Sequence, residues 1–176
     1  MFINRNPLGY KNLRTWQQAK EVFELTEKYC ATFPKQNPAT GQYLTDLKDQ
    51  MIRSARSVVR NIEEGYSRTS TGEYVAFLGF SKGSNEELLG DFQYCVDSKL
   101  GEHDYAIKGV YLCKGEGKML ESQMRALKQK QIQEKSFSSK DQAKLILENQ
   151  GREKREQEKF LDELKEKYLK GKIKGY

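Results

Sequence analysis

Three arginines recur at intervals of three and four residues in the stretch IRSARSVVRNIEEGYSR, residues 52–68: Arg53, Arg56 and Arg60. On an α-helix, with 100° between successive residues, these positions fall within about 60° of one another. The planar, permanently charged guanidinium of arginine suits the oxygens of a phosphate group. The spacing therefore predicts a phosphate-binding line, which Arg68 would extend. The alternative interpretation is a charged helix face that is only solvated.

A second basic line is predicted on a later helix, where four side chains fall within about 80° of one another. They are Lys114, Lys118, Arg125 and Lys128. Binding of a polyanion to such residues releases condensed counterions, which favours association. Two basic helix faces in one chain favour RNA or DNA as the partner.

Residue patterns that could support catalysis are weak. The only histidine, His103, stands alone near the start of a predicted helix. The carboxylates of Glu63 and Glu64, and those of Glu86 and Glu87, belong to sequence neighbours that point about 100° apart on a helix. Neither pair converges. We therefore predict a protein that is not an enzyme, with no catalytic residue, no metal site and no cofactor.

Composition is typical of a helical, highly solvated protein, because 32% of the residues are charged, 36% are hydrophobic and the net charge is +6. The three cysteines are odd in number and far apart, so they predict neither a disulfide framework nor a metal site: Cys30, Cys95 and Cys113. The chain begins without the apolar region of a signal peptide and contains no apolar run of about 18 residues. We expect a cytoplasmic, soluble protein with no membrane partner.

Apolar residues recur at helical spacing in four segments, residues 11–33, 43–65, 72–100 and 103–133. Most connections between these segments are short, and no segment has the alternation of a strand. Together they predict an all-α fold, an up-down four-helix bundle. We expect Ser70 or Thr71 to cap the third helix.

Three residues near the end of the second predicted helix have expected structural roles. Gly65 is placed to close that helix in the left-handed conformation. Asn61 and Glu64 can satisfy backbone groups at the turn or position a neighbouring arginine. We favour the structural role for both, because no nucleophile or metal ligand lies nearby in the sequence.

Small residues interrupt the third predicted helix, notably Gly79, Gly83 and Ser84. A glycine inside a helix costs about 0.5–1 kcal/mol relative to alanine, so several in one helix need a compensating reason. We interpret them as a seam that lets helices pack closely, within one subunit or between subunits. The alternative is a tolerated defect in a marginal helix.

Residues 134–176 follow the predicted bundle domain, residues 1–133, as a highly charged extension. Residues 141–170 predict an additional charged C-terminal helix with only a broken apolar stripe. Such a helix buries little by itself, so it is either a partner-binding helix or a solvated extension.

Four stretches together resemble a known family. They are Tyr10-Lys11-x-Leu13-x-x-Trp16, Asn61-Ile62-x-Glu64-Gly65-Tyr66-x-Arg68, Glu73-Tyr74-x-x-Phe77-Leu78 and Lys82-Gly83-Ser84-x-x-Glu87-Leu88. Over about residues 10–133 the chain is similar to the bacterial four-helix-bundle proteins encoded in intervening sequences of 23S ribosomal RNA genes. It departs from them at Val59 and Arg60, where the family usually has proline and alanine. The extra arginine enlarges the basic line.

The resemblance implies a bundle that assembles into a homo-oligomeric ring, a pentamer in relatives, with a basic surface suited to nucleic acid. A related branch, the accessory variability determinant proteins of diversity-generating retroelements, works beside a reverse transcriptase. Neither branch is enzymatic. We therefore expect a homo-oligomeric bundle that binds structured RNA or other nucleic acid. The alternative is an accessory scaffold whose partner is a protein such as a reverse transcriptase.

Overall fold

The computed structural model describes the backbone of residues 7–173, with the side chains of residues 7–133 and of a few residues beyond them. A short 3₁₀-helix, Gly9–Asn12, precedes four α-helices. These are α1, Arg14–Ala31; α2, Thr45–Ser67; α3, Thr71–Asp97; and α4, His103–Ile173. Residues 7–173 contain no strand, so the predicted all-α fold class is confirmed.

Neighbouring helices run antiparallel. Ser54 and Val58 on α2 meet Glu87 and Ser81 on α3, so the residue number rises on one helix as it falls on the other. Contacts between the other neighbours follow the same rule: Trp16 with Glu63 and Phe33 with Lys48 for α1 and α2, Tyr74 with Gln123 and Asn85 with Cys113 for α3 and α4, and Thr15 with Gln123 and Glu21 with Lys108 for α1 and α4. This pattern confirms the up-down bundle and places α2 and α4 on diagonally opposite corners.

Two clusters of buried apolar side chains form the core of the bundle. One includes Tyr29, Leu88 and Phe92, and the other includes Ile62 and Leu120. Full burial of a side chain of this size contributes about 1.5–3 kcal/mol. Because each helix turns its apolar stripe toward these clusters, the charged stripes of α2 and α4 face away from them.

The side chain that caps α3 is Ser70. Its Oγ accepts a hydrogen bond from the backbone N–H of Glu73 at 3.1 Å, and the Glu73 carboxylate accepts one from the Ser70 hydroxyl at 2.8 Å. A serine cap with an acidic residue three positions later satisfies an orphan donor of the first turn and complements the helix dipole. Of the two residues predicted as the cap, Ser70 is confirmed.

Gly65 does not end α2, and the prediction of a left-handed cap is wrong. The helix continues to Ser67, and the glycines with positive φ among the described residues are Gly41 and Gly101. A Cβ atom on Gly65 would lie 2.7 Å from Cβ of Phe77 and 2.9 Å from the Tyr74 ring. The glycine is therefore required because α3 approaches the backbone of α2 closely at this point.

We expect Gly65→Ala to lower the free energy of unfolding by about 1–3 kcal/mol, because the added methyl group overpacks the contact with α3. Gly83→Ala is the matched control, since a Cβ there meets nothing within 4 Å. Removing a helix-interior glycine at an open position should raise the free energy by about 0.5–1 kcal/mol. Urea unfolding followed by circular dichroism, at one fixed protein concentration, measures both. Equal stabilities for the two variants would contradict this account.

The predicted packing seam on α3 divides into two parts. Ser84 contacts α2, where its hydroxyl donates to Oγ of Ser57 at 2.9 Å. Gly79 and Gly83 are exposed and have open space where a side chain would stand. A role for these two glycines in packing within the subunit is therefore wrong, because they lie on the outer side of α3. Their role between subunits stays a prediction.

The C-terminal extension is helical, but it does not form a separate fifth helix. Residues 134–140, predicted as a break, belong to α4, which continues to Ile173. Residues 134–173 contain no proline and are rich in Lys, Glu, Gln and Leu, which favour helix and outweigh the serines near residue 138. The chain divides into two compact units, Met1–Lys130 and Gln131–Tyr176. No helix within residues 7–173 is both long enough and apolar enough to cross a membrane.

Candidate nucleic-acid interface

The three arginines of α2 lie on its solvent-facing side. Arg53, Arg56 and Arg60 are exposed, and the opposite side of the helix carries fully buried residues: Met51, Ala55, Val58 and Ile62. At a rise of 1.5 Å per residue, the three positions span about 10 Å. None of their side chains forms an ion pair or a hydrogen bond in the described part of the chain. We call this set the α2 arginine line, and its guanidinium groups are available to an anion.

Acidic side chains stand at both ends of the α2 arginine line: Asp46, Asp49, Glu63 and Glu64. The Glu63 carboxylate accepts a hydrogen bond from Nε1 of Trp16 at 2.9 Å, which engages it toward α1. The two aspartates are exposed near the start of α2, where the helix dipole favours negative charge. Positive charge is therefore concentrated in the middle of the helix and suits a short run of phosphates.

Arg68, which the sequence pattern places with the other three, has partners within its own chain. Its guanidinium forms an ion pair with Glu64 and lies over the ring of Phe77, 4.5 Å from the ring centroid. An arginine that is stacked on an aromatic ring and paired with a carboxylate binds a phosphate less readily than an unpaired arginine does. The structure separates Arg68 from the α2 arginine line and gives it a role in joining α2 to α3.

Asn61 lies on α2 beside the hydrogen bond that joins α2 to α3 at Ser57. Its Nδ2 donates to the Ser57 carbonyl at 2.9 Å and contacts Oγ of Ser57 at 3.1 Å. The same Oγ accepts the hydrogen bond from Ser84 on α3. The structural role favoured for Asn61 therefore fits its contacts, although they lie one turn before the expected position at the end of the helix. Glu64 holds Arg68, which is one of the two roles considered for it.

The four basic residues predicted on α4 are all exposed: Lys114, Lys118, Arg125 and Lys128. They share one side of the helix and span about 21 Å along its axis. None of them has an ion-pair partner among the described residues. We call this set the α4 basic line.

One acidic residue, Glu121, lies within the α4 basic line, and it is already paired. Its carboxylate is 2.5 Å from Nζ of Lys82 on α3. The hydrogen bond between them raises the pKa of Lys82 and lowers the pKa of Glu121, so both side chains are held in their charged forms. Beside this pair, Lys114 and Lys118 line a cavity of about 190 Å³ between α3 and α4, which Glu86 and Glu121 also line. The acidic lining directs an anion toward the outer side of the helix.

The two basic lines do not form one surface on a single chain. Helix α2 contacts α1 and α3, and the first part of α4 contacts the same two helices. The lines therefore lie on diagonally opposite corners of the bundle, each facing away from the core. One chain presents two separate basic faces rather than one large patch.

A comparison with protein families identifies the family of this chain. A family described as 23S rRNA-intervening sequence protein matches residues 11–122, which is more than half of the chain. The chain belongs to that family. The family resemblance of the sequence motifs is thereby confirmed. No curated protein matches the chain.

The 23S rRNA-intervening sequence protein match covers α1, α2, α3 and the first part of α4. The α2 arginine line lies within it, as do Lys114 and Lys118. Arg125, Lys128 and the C-terminal extension lie outside it. The part of the chain that matches the family thus contains the whole α2 arginine line and the first half of the α4 basic line.

Glu116 is the residue of this family member that the sequence patterns missed. It is 0% exposed on α4, and neither carboxylate oxygen has a hydrogen-bond partner among the described residues. Burial raises the pKa of Glu116 to about 8, because the charged form is poorly solvated there. Its place one turn from the apolar residues Cys113 and Leu120 was the available signal. No group of three His, Cys, Asp or Glu among the described residues is arranged to hold a metal ion.

Proposed function

We propose that this protein is a non-enzymatic nucleic-acid-binding protein that holds the phosphate backbone of structured RNA on the α2 arginine line. The observation that carries the proposal is three exposed arginines on one helix face, with no partner in the described part of their own chain. Arginine binds phosphate oxygens through its planar fork, and each neutralised phosphate releases counterions. The family description, which refers to 23S rRNA, favours RNA as the nucleic acid.

Assembly would give this short line a useful affinity. A line of about 10 Å neutralises only a few phosphates, so one chain binds weakly on its own. Five chains with a net charge of +6 each give about +30 in a pentamer, a field that attracts polyanions over the whole particle. We therefore propose a homo-oligomer as the functional form, in which symmetry repeats the arginine line.

A salt series tests the proposal. Purified protein is titrated with folded 23S ribosomal RNA fragments at several salt concentrations between roughly 50 and 200 mM, with duplex DNA of equal length as competitor. Three phosphates neutralised by one chain should give a plot of log affinity against log salt with a slope of about −2.7 or steeper. We expect RNA to be preferred over the competitor.

Two results of that series would overturn the proposal. Binding that disappears at physiological salt would leave the arginines as a solvated face. Equal competition by duplex DNA would contradict RNA as the preferred partner while leaving phosphate binding in place.

A scaffold function is the second candidate, and the C-terminal extension favours it. The unit Gln131–Tyr176 lies outside both the family match and the compact unit of the bundle, and Ile132 at its start is 66% exposed. A helical segment of this kind can serve as a docking element for a protein partner. Deleting residues 134–176 separates the two functions, because a scaffold loses its partner whereas the RNA-binding protein keeps most of its affinity.

A further inference from the structure

Among the described side chains of the helices, the most exposed aromatic one is Tyr111 of α4. It is 76% exposed and makes no hydrogen bond or ring contact with any described residue. Ile107, one turn earlier on the same side, is 49% exposed. A large ring in this position gains nothing from the core of its own chain. It is open to stack on a partner.

Basic residues continue from Tyr111 along the same side of α4. Lys114 and Lys118 follow it by about one and two turns, and both are exposed and without an ion-pair partner among the described residues. Lys108, in contrast, pairs with Glu21 at 3.2 Å. Two carboxylates lie beside this stretch: Glu121 is held by Lys82, and Glu86 lines the cavity between α3 and α4. The face thus combines one free aromatic ring with positive charge that is not neutralised.

We propose that this outer face of α4 binds single-stranded nucleic acid, with a base stacked on Tyr111 and the adjoining phosphates held by Lys114 and Lys118. Arg125 and Lys128 extend the path, so that Tyr111 to Lys128 covers about 26 Å of helix. Stacking on an aromatic side chain beside a basic track is the physical basis of single-strand binding that tolerates any sequence. Charge complementarity selects a polyanion, and the ring selects one with unpaired bases.

The two basic lines then take different forms of nucleic acid. No large hydrophobic side chain is exposed on α2. The α2 arginine line can therefore hold phosphates but cannot stack with a base, and it suits a paired backbone. On α4, a base must leave its duplex partner to reach the ring of Tyr111. This inference rests on the proposed function only in that the protein binds nucleic acid. Because the two lines lie on diagonally opposite corners, variants can test binding by each line separately.

Fluorescence anisotropy with a labelled twelve-nucleotide oligouridylate tests the inference. We expect Tyr111→Ala to weaken binding about 5- to 150-fold, which corresponds to the loss of one stacked base. Tyr111→Phe keeps the ring and should bind as the wild-type chain does. Tyr43→Ala is the matched control, because Tyr43 is 73% exposed but lies in the connection between α1 and α2 and is not part of α4. An oligomer of the same length with abasic sites should bind wild type as weakly as oligouridylate binds Tyr111→Ala.

Three results would overturn the inference. Equal effects of Tyr111→Ala and Tyr43→Ala, or equal affinity for the abasic oligomer and oligouridylate, would exclude stacking on Tyr111. A change in sedimentation coefficient in Tyr111→Ala would assign this face to contact between copies of the chain. Duplex RNA binding, measured in parallel, should be unchanged in Tyr111→Ala. If no protein, including the wild type, bound duplex RNA, the proposed function of α2 would be refuted. The result for α4 would still be decided by its own measurements.

Discussion

Glu116→Gln should nearly remove the decline in stability that we expect for the wild-type chain as the pH rises from 6 to 8. Over this interval the wild-type free energy of unfolding should fall by about 2 kcal/mol. Urea unfolding at several pH values, followed by circular dichroism at one protein concentration, measures the difference. The effect is large for a single side chain because total stabilities are only about 5–15 kcal/mol.

The sign follows from where Glu116 lies. It is fully buried and neither of its oxygens has a hydrogen-bond partner in the part of the chain that the structure describes, so the folded chain favours the neutral acid. Burial raises its pKa from 4.5 to about 8 in the folded state. Between those two values the folded state holds a proton that the unfolded chain has lost, so the free energy of unfolding falls as the pH rises. Glutamine keeps the shape of the side chain and cannot ionise.

Other groups act outside this interval or can be controlled. Burial and the charge of Glu87 raise the pKa of Asp91 to about 6, so its influence is nearly complete below the interval. The nearest thiol, Cys113, has a pKa raised to about 12 by burial and acts only in strongly alkaline solution. Glu24→Gln, on the exposed side of α1, should show the same pH dependence as wild type. If Glu116→Gln also declined with pH in parallel with wild type, the buried acid would not be the cause.

The helices of this protein follow from its sequence because the apolar spacing that predicts them also drives their burial. Ile62 on α2 and Leu78 on α3 fall at helical intervals from other apolar residues, and both are fully buried. The Ser70 cap follows from local chemistry, since a serine with an acidic residue three positions later satisfies the first turn without help from the rest of the fold. Features decided within one helix or at its end are thus readable in advance.

Features that depend on a neighbouring helix cannot be predicted from the sequence in this way. Gly65 has the residue type of a helix end, and only the approach of Phe77 and Tyr74 reveals that it permits a close contact instead. Arg68 has the spacing of a phosphate ligand, but Phe77 lies beneath it and Glu64 beside it. In both cases the deciding partner, Phe77, lies on α3. The packing of two helices therefore changes the role of a residue whose own helix was correctly predicted.

The same distinction applies to the candidate site. Whether Arg53, Arg56 and Arg60 share a face depends only on their spacing within α2, and they do share it. Whether the α2 and α4 lines meet depends on the order of the helices around the core. The spacing of residues within one helix does not predict that order. Their separation follows from contacts such as Ser54 with Glu87 and Asn85 with Cys113. The two basic lines predicted from the sequence are thus two separate faces of the bundle.

Reversing the charge of the α2 arginine line should abolish binding of structured RNA. The triple variant Arg53→Glu, Arg56→Glu, Arg60→Glu removes three charged hydrogen-bond donors, each worth about 1.5–3 kcal/mol to a phosphate, so affinity should fall at least about 1,000-fold. Because all three side chains are exposed and without partners in the described chain, helical content should be unchanged. Filter binding to a fully paired RNA fragment, which offers no unpaired base to α4, measures affinity, and circular dichroism measures helical content.

The control variant must distinguish the effect of the arginines' position on RNA affinity from the effect of net charge. Lys11→Glu, Lys28→Glu, Lys35→Glu makes the same change in charge at three exposed sites that do not share a helix face. Long-range attraction depends on the total charge, so the control should also lose some affinity, and its loss should shrink as salt screens that attraction. Direct contact is lost only in the arginine variant, which should stay far weaker than the control at physiological salt. If both variants lost affinity equally at every salt concentration, the protein would attract RNA only through its overall charge, and α2 would have no special place in binding.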